Sequence, residues 1–278
     1  MRRRRDDIQL KSPEQIALMR RAGQVVATGL AEMTAAAEPG VSTYQLDRIA
    51  RDVLRSAGAA SSFLGYAGPP PFPGVICASR NASIVHGIPS RDEVLADGDL
   101  ISLDFGAILD GWHGDAAVTV EVGTVGEQAR ALSAACREAL WDGIAAARPD
   151  GRLSDISHAV QSSVARSGAY GIVTGYGGHG IGTEMHMEPH ILNYGKPGKG
   201  PRLVAGMTLA IEPMITQGDA RTRELADRWT VVTADGGAAA HWEHTVALLE
   251  DGLWVLTAPD GGRAELSARG VAISAMAG

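Results

Sequence analysis

Apolar residues recur at helical spacing near the start of the chain, where Ile16, Met19, Val26, Leu30 and Met33 mark one face. Ser12-Pro13-Glu14-Gln15 supplies the start signal for that helix: a Ser cap, Pro in the first turn and Gln three residues after the cap. Pro39-Gly40 ends it. Ser42 to Gln45 repeats the capping pattern, and Leu46, Ile49 and Val53 mark a second helix. Two more helices are predicted near 126–147 and 153–167. Short strands are predicted at 75–78, 83–86, 207–214, 228–233, 240–248 and 253–257. Residues 66–74 carry three successive prolines and read as a stiff loop, and the Gly-rich stretch 171–205 reads as loop. The pattern is that of an α/β (α+β) protein. Residues 1–10 are expected to be a basic tail, 11–257 one domain, and the aperiodic Gly- and Ala-rich stretch 258–278 a frayed second tail.

The most regular alternation spans 100–120. Ile101, Leu103, Phe105 and Ala107 point one way, and Ser102, Asp104 and Gly106 the other. Asp110-Gly111 is a strong two-residue hairpin signal. With that dipeptide as the loop, Asp115 faces Gly106 and Asp104 faces Ala117. The two aspartates then share a face as diagonal neighbours, with backbones roughly 7–8 Å apart. Two unpaired carboxylates this close repel, and a cation between them resolves the conflict. A solvated polar face with two unrelated aspartates stays open on the hairpin alone.

Three further motifs change the balance. His179 lies in Gly175-Tyr-Gly-Gly-His-Gly-Ile-Gly182, with His186 seven residues on. Glycines permit close approach of backbone or ligand. A lone His is more often a hydrogen-bonded core residue than a ligand. The stretch 175–180 also fits G-x-G-x-x-G, but Pro189 and Gly195 follow instead of a helical pattern, so a dinucleotide site is not indicated. Glu212 ends an apolar strand just before Pro213, and Glu243 sits inside His241-Trp-Glu-His-Thr245. Buried acidic side chains need a partner. Asp104, Asp115, His179, Glu212 and Glu243 together make a hard, oxygen-rich donor set, which suits a pair of divalent ions better than one structural zinc.

Composition adds exclusions. Apolar residues make up 45% of the 278, enough for a sizeable core. A net charge of −7 makes the chain a poor candidate for general nucleic-acid binding. Cys77 and Cys136 form no CxxC pair, so a reducing, cytoplasmic setting is the simplest reading. Arg2–Arg5 are followed by polar residues, not by the apolar run of a signal peptide, and no stretch suits a membrane span. That arginine run is read as a solvated tail, with ribosome association the rival reading. A monomer is expected.

At these motifs the chain resembles the type I methionine aminopeptidases, over roughly residues 10–257. The resemblance rests on Val85-His86-Gly-Ile-Pro89, Asp104 and Asp115 with His-Gly-Asp, Gly178-His179-Gly-Ile-Gly182, Met207-Thr-Leu-Ala-Ile-Glu-Pro213 and Glu243-His-Thr245. It implies the pita-bread fold: two pseudo-symmetric halves, a curved antiparallel sheet, and helices on its outer face. It implies that the five residues above ligate two divalent ions, whether cobalt, manganese, iron or zinc. It implies that His86 contacts the substrate near its amino end and His186 the scissile carbonyl. Glu212 would be both ligand and general base. Cys77, Tyr66, Phe72 and Trp229 would border the methionine side-chain pocket. The implied substrate is a peptide or nascent chain with N-terminal methionine and a small second residue. Three departures stand out: Pro69-Pro70-Pro71 inserted before Phe72, Met185 where an aromatic is frequent, and His241-Trp242 in place of a Gln-aromatic pair. A prolidase or aminopeptidase P, a non-enzymatic pita-bread binding module and a two-metal phosphoesterase are the competing readings.

Overall fold

The structure is a computed structural model and describes residues 8–66, 68 and 70–277. The Arg2–Arg5 run and Pro69 lie outside the described residues. The chain opens with α1 (Pro13–Ala36) and α2 (Thr43–Ala57), each started by a capping box, Ser12 with Gln15 and Ser42 with Gln45. Five strands follow: β1 (Ala60–Ser61), β2 (Ile76–Arg80), β3 (Ser83–Val85), β4 (Leu100–Leu109) and β5 (Trp112–Glu121). A second helix pair comes next, α3 (Glu127–Ala146) and α4 (Leu153–Ser167). Then come β6 (Gly171–Ile172), β7 (Gly178–Gly180), β8 (Met187–Ile191), β9 (Thr208–Ile211) and β10 (Met214–Thr216). β11 (Thr222–Glu224), β12 (Val231–Thr233), β13 (Ala239–His241), β14 (Glu243–Leu249), β15 (Gly252–Val255) and α5 (Arg263–Ala268) complete the chain.

Nine strands form one antiparallel sheet whose main path runs β1-β4-β5-β14-β9-β7-β8, with β2 beside β4 and β15 beside β14. Two three-stranded sheets, β13-β10-β6 and β11-β12-β3, flank it. Each helix pair covers one half. Val26, Leu30 and Met33 of α1 and Leu46 and Leu54 of α2 bury against Ile76, Leu103 and Phe105. Leu140 and Ile144 of α3 and Ile156 of α4 bury against Leu209, Val246 and Val255. The apolar side of the sheet thus faces helices, which leaves its other side for chemistry.

The hairpin forms in the predicted register, with Asp104 opposite Ala117 and Gly106 opposite Asp115. Asp110 and Gly111 both take positive φ, 51° and 79°, as a type I′ turn requires. α1 lies almost in contact with the return strand. A Cβ on Gly114 would come 2.8 Å from the Gly23 nitrogen, and one on Gly23 would come 2.2 Å from the Leu256 carbonyl oxygen. These glycines let the helix seat the backbone that carries Asp115.

Three expectations need correction. The stretch 171–205 is not all loop, because it contributes β6, β7 and β8; β7 holds too few residues for an alternation to show. The strand expected from 228 begins at Val231, since Arg228 takes φ 66° and the Asp227 carboxylate accepts from the Trp229 and Thr230 amides in a turn. Residues 258–277 do not fray. Leu266 and Val271 are buried in the α3–β14 core. The Arg269 guanidinium binds Glu138 and Asp142 of α3 as well as Glu265. One six-residue helix held by side chains from distant elements leaves no periodicity to read.

Candidate metal centre and cleft

Register places the predicted ligands. Asp104 on β4 pairs with Ala117 on β5, and Ala117 pairs with Glu243 on β14. One row away, His179 on β7 pairs with Ala210 on β9, which pairs with Thr245 on β14. Asp115 lies two residues from Ala117, Glu243 two from Thr245, and Glu212 two beyond Ala210. Side chains alternate along strands, so all five share the face turned away from the helices. Thr245 locks the centre of the row: its hydroxyl donates to the Asp115 carbonyl at 2.8 Å and accepts the Asp115 amide at 3.1 Å.

The glycines around His179 have a steric cause. A Cβ on Gly178 would lie 2.3 Å from the Ala210 oxygen, and one on Gly180 would lie 2.2 Å from the Glu188 oxygen. The strand can carry His179 this close to its neighbours only without those atoms. His179 Nδ1 lies 3.0 Å from the Gly180 carbonyl, which can only accept, so Nδ1 carries the proton and the Nε2 lone pair is free. Nε2 points at Glu212 Oε1, 3.5 Å away.

The electrostatics are those of a cation site. Burial raises Asp115 to about 7, and burial followed by the charges of Asp115 and Glu212 holds Asp104 and Glu243 well above the usual carboxylate range. Burial and then Asp115 do the same to Glu212. Burial also keeps His179 neutral, its pKa lowered to about 3. Asp104 Oδ1, Asp115 Oδ1 and Glu243 Oε1 are sealed from solvent with no hydrogen-bond partner among the described residues. A buried polar oxygen left unsatisfied costs about 1–3 kcal/mol. Such orphaned acceptors converging with a free imidazole nitrogen fit divalent cations. Asp115, His179 and Glu243 offer donor atoms within 4.8 Å of one another, as do Glu212, His241 and Glu243. Asp104 stands outside both triads, beside Asp115.

These side chains floor a cavity of about 540 Å³. Its walls hold the other predicted residues. Phe72, Cys77 and Met185 form a buried apolar cluster that Tyr66 and Trp229 extend. Phe72 meets the Trp229 ring edge-on at 5.2 Å, and the Trp229 indole N–H donates to the Pro70 carbonyl at 2.9 Å, which fastens Pro70 to the rim. His186 Nδ1 lies 2.6 Å from the Tyr66 hydroxyl, and its ring is 4.4 Å from that of His179. His86, at φ 59°, sits between Tyr176 and Trp229, and burial lowers its pKa to about 4. Backbone held in this region by a non-glycine residue stores strain that the packing must maintain.

Comparisons with known proteins show the family. The metallopeptidase family M24 matches residues 17–250. Methionine aminopeptidase 1 of Mycobacterium tuberculosis (strain CDC 1551 / Oshkosh) is 54% identical over 252 residues, 89% of this chain and 94% of that one. The chain belongs to metallopeptidase family M24, in its methionine aminopeptidase branch. Methionine aminopeptidase 1 of Bacillus subtilis (strain 168) is 47% identical, over 89% of this chain and 98% of its own length. A solved methionine aminopeptidase from Thermotoga maritima superposes with a TM-score of 0.87 at 39% identity, covering 90% of this chain and 99% of that one. A Pyrococcus furiosus prolidase shares only the fold, with a TM-score of 0.71 at 21% identity. The M24 chain thus has the pita-bread architecture that its motifs implied. Among its described residues, no helix is long and apolar enough to cross a membrane.

Among the cavity-lining residues not assigned to the site from sequence, two matter most. Phe63 belongs to the apolar wall but lies outside any motif. His241, noted only as a departure, lies in the cavity floor. A signal for it existed: in a strand read over 240–248, alternation puts His241 on the face of Glu243.

Proposed function

We propose that the protein removes N-terminal methionine from peptides and nascent chains whose second residue is small, using two divalent ions. The observation that carries this reading is the row of buried carboxylates with unpartnered oxygens, set beside His179 and opening onto an apolar cleft. Asp104, Asp115, His179, Glu212 and Glu243 would hold the ions. Bound there, they would supply Lewis acidity and bring the pKa of water near neutrality.

The protein's own groups do the rest. Phe72, Cys77, Met185 and Trp229 present the apolar surface that suits a thioether chain, which would leave the first peptide bond above the carboxylate floor. His86 would accept from the substrate near its amino end, since burial keeps its imidazole neutral. Were the Tyr66 hydroxyl to donate to Nδ1 across their 2.6 Å contact, His186 would carry its proton on Nε2 and would donate it as a hydrogen bond to the scissile carbonyl oxygen. Glu212 would take the proton of the attacking water and pass it to the leaving amine. Restriction to the first residue would follow from the need to seat a free amino group.

The test compares hydrolysis of Met-Ala-Ser, Ala-Ala-Ser and an Xaa-Pro peptide by chelated protein, before and after adding back cobalt, manganese, iron or zinc. Metal-dependent cleavage confined to Met-Ala-Ser is expected. Preference for the Xaa-Pro peptide, or cleavage indifferent to chelation, would overturn the reading.

A further inference from the structure

The centre holds an imidazole that the donor set above does not use. His241 is 2% exposed, and its Nε2 is sealed from solvent with no hydrogen-bond partner among the described residues. It lies 3.5 Å from Glu212 Oε2, while His179 Nε2 lies 3.5 Å from Glu212 Oε1, so two imidazoles flank one carboxylate. Two donors bound to one first-row ion at about 2.0–2.2 Å stand roughly 3–3.5 Å apart. The spacing therefore matches shared coordination and exceeds an ordinary N–H···O hydrogen bond of about 2.9 Å.

The backbone of His241 is fixed as firmly as that of a ligand. The Thr119 hydroxyl donates to the His241 carbonyl at 2.8 Å and accepts the His241 amide at 3.0 Å. Ser102 hydrogen-bonds the same Thr119 hydroxyl at 2.9 Å, tying the clamp into the aspartate hairpin. A buried ring held in place by its backbone, with no hydrogen-bond partner for Nε2 among the described residues, is a poor space-filler and is positioned as a donor.

We infer that His241 Nε2 is a further metal ligand, so that the centre presents two nitrogen-containing triads, Asp115–His179–Glu243 and Glu212–His241–Glu243, which share Glu243. This rests on the proposed two-metal function and deepens it. A second nitrogen donor favours zinc, cobalt or ferrous iron over manganese at the Glu212 position, because imidazole suits the former ions better than an all-oxygen set does.

The full chain loaded with cobalt(II) reports ligation without any assay of turnover. With Nε2 as donor, Nδ1 carries the ring proton, which gives an exchangeable, hyperfine-shifted proton NMR signal. The unsubstituted protein should show two such imidazole signals, one lost in H241Q and the other in H179Q. Zinc affinity at one site should fall at least about tenfold in H241Q, with a smaller loss for manganese. A single imidazole signal, lost in H179Q and unchanged in H241Q, would overturn the role of His241 and leave the metal reading standing. Failure of the unsubstituted chain to bind cobalt stoichiometrically would bring down that reading and this inference together. Should H241Q not fold, H241N is read the same way, and the signal count in the unsubstituted protein still decides.

Discussion

The floor and the wall of the cavity are built on opposite plans. Every predicted ligand stands on, or one residue beyond, a strand of the central sheet, and hydrogen-bonded register fixes its position. The wall that holds Tyr66, Phe72, His186 and Trp229 comes from connecting segments, joined by single side-chain contacts such as Trp229 to Pro70 and Tyr66 to His186. The floor is electrostatically frustrated without cations, whereas the wall is an apolar surface with nothing to neutralise. The candidate metal-holding groups thus rest on hydrogen-bonded sheet geometry, whereas most of the cleft wall, Cys77 on β2 excepted, rests on loops.

The largest expected effect lies in the floor. Asp104→Ala or Glu243→Ala should reduce turnover by at least about a thousandfold with the circular dichroism spectrum unchanged, and either variant that keeps turnover under controlled metal loses its ligand assignment. The chelated form should respond in the opposite sense. Asp104→Asn removes one of several buried like charges, so its melting temperature without metal should equal or exceed that of the parent; a clear drop would mean that the carboxylates are not in conflict.

Next comes pH. Burial raises Asp115 from the usual aspartate range to about 7, so the folded chelated protein holds this proton more tightly than the unfolded chain does. The stability this contributes is complete below about pH 4 and is lost as pH climbs through about 7. Melting temperature without metal should therefore fall across that window. Metal ligation needs ionised carboxylates, so the gap between loaded and chelated melting curves should widen as pH rises. A gap independent of pH would contradict the floor as described.

The wall should answer more mildly. Phe72→Ala or Trp229→Ala should raise KM for Met-Ala-Ser by about tenfold, as loss of a buried aromatic contact implies, while metal content stays at the parental value. Loss of metal in either variant would break the division between floor and wall. The smallest effect belongs to the far end of the chain. Arg269→Ala removes a guanidinium shared among Glu138, Asp142 and Glu265, and should lower stability by about 1–2 kcal/mol in denaturant titration without changing KM.

What could be read from sequence divides along related lines. The two capped helices and the aspartate hairpin were legible because caps, a positive-φ turn and strict alternation are local signals. The five candidate metal-holding residues could be named from the sequence because each sits in its own short motif. β7 was hidden because three residues cannot display a period and its glycines, needed for close packing, look like loop. The α5 segment was hidden because a six-residue helix shows little periodicity and Arg269 is tied to Glu138 and Asp142, more than a hundred positions away. His241 was visible as an oddity, but its unpartnered Nε2 beside Glu212 is revealed only by the packing of β13.

The most direct measurement is anomalous diffraction from crystals of the full chain soaked in cobalt(II), with metal per chain counted in parallel. Two peaks among Asp104, Asp115, His179, Glu212 and Glu243 are expected, with two ions per chain. A single ion, or peaks elsewhere while those carboxylates stay bare, would contradict a two-metal peptidase.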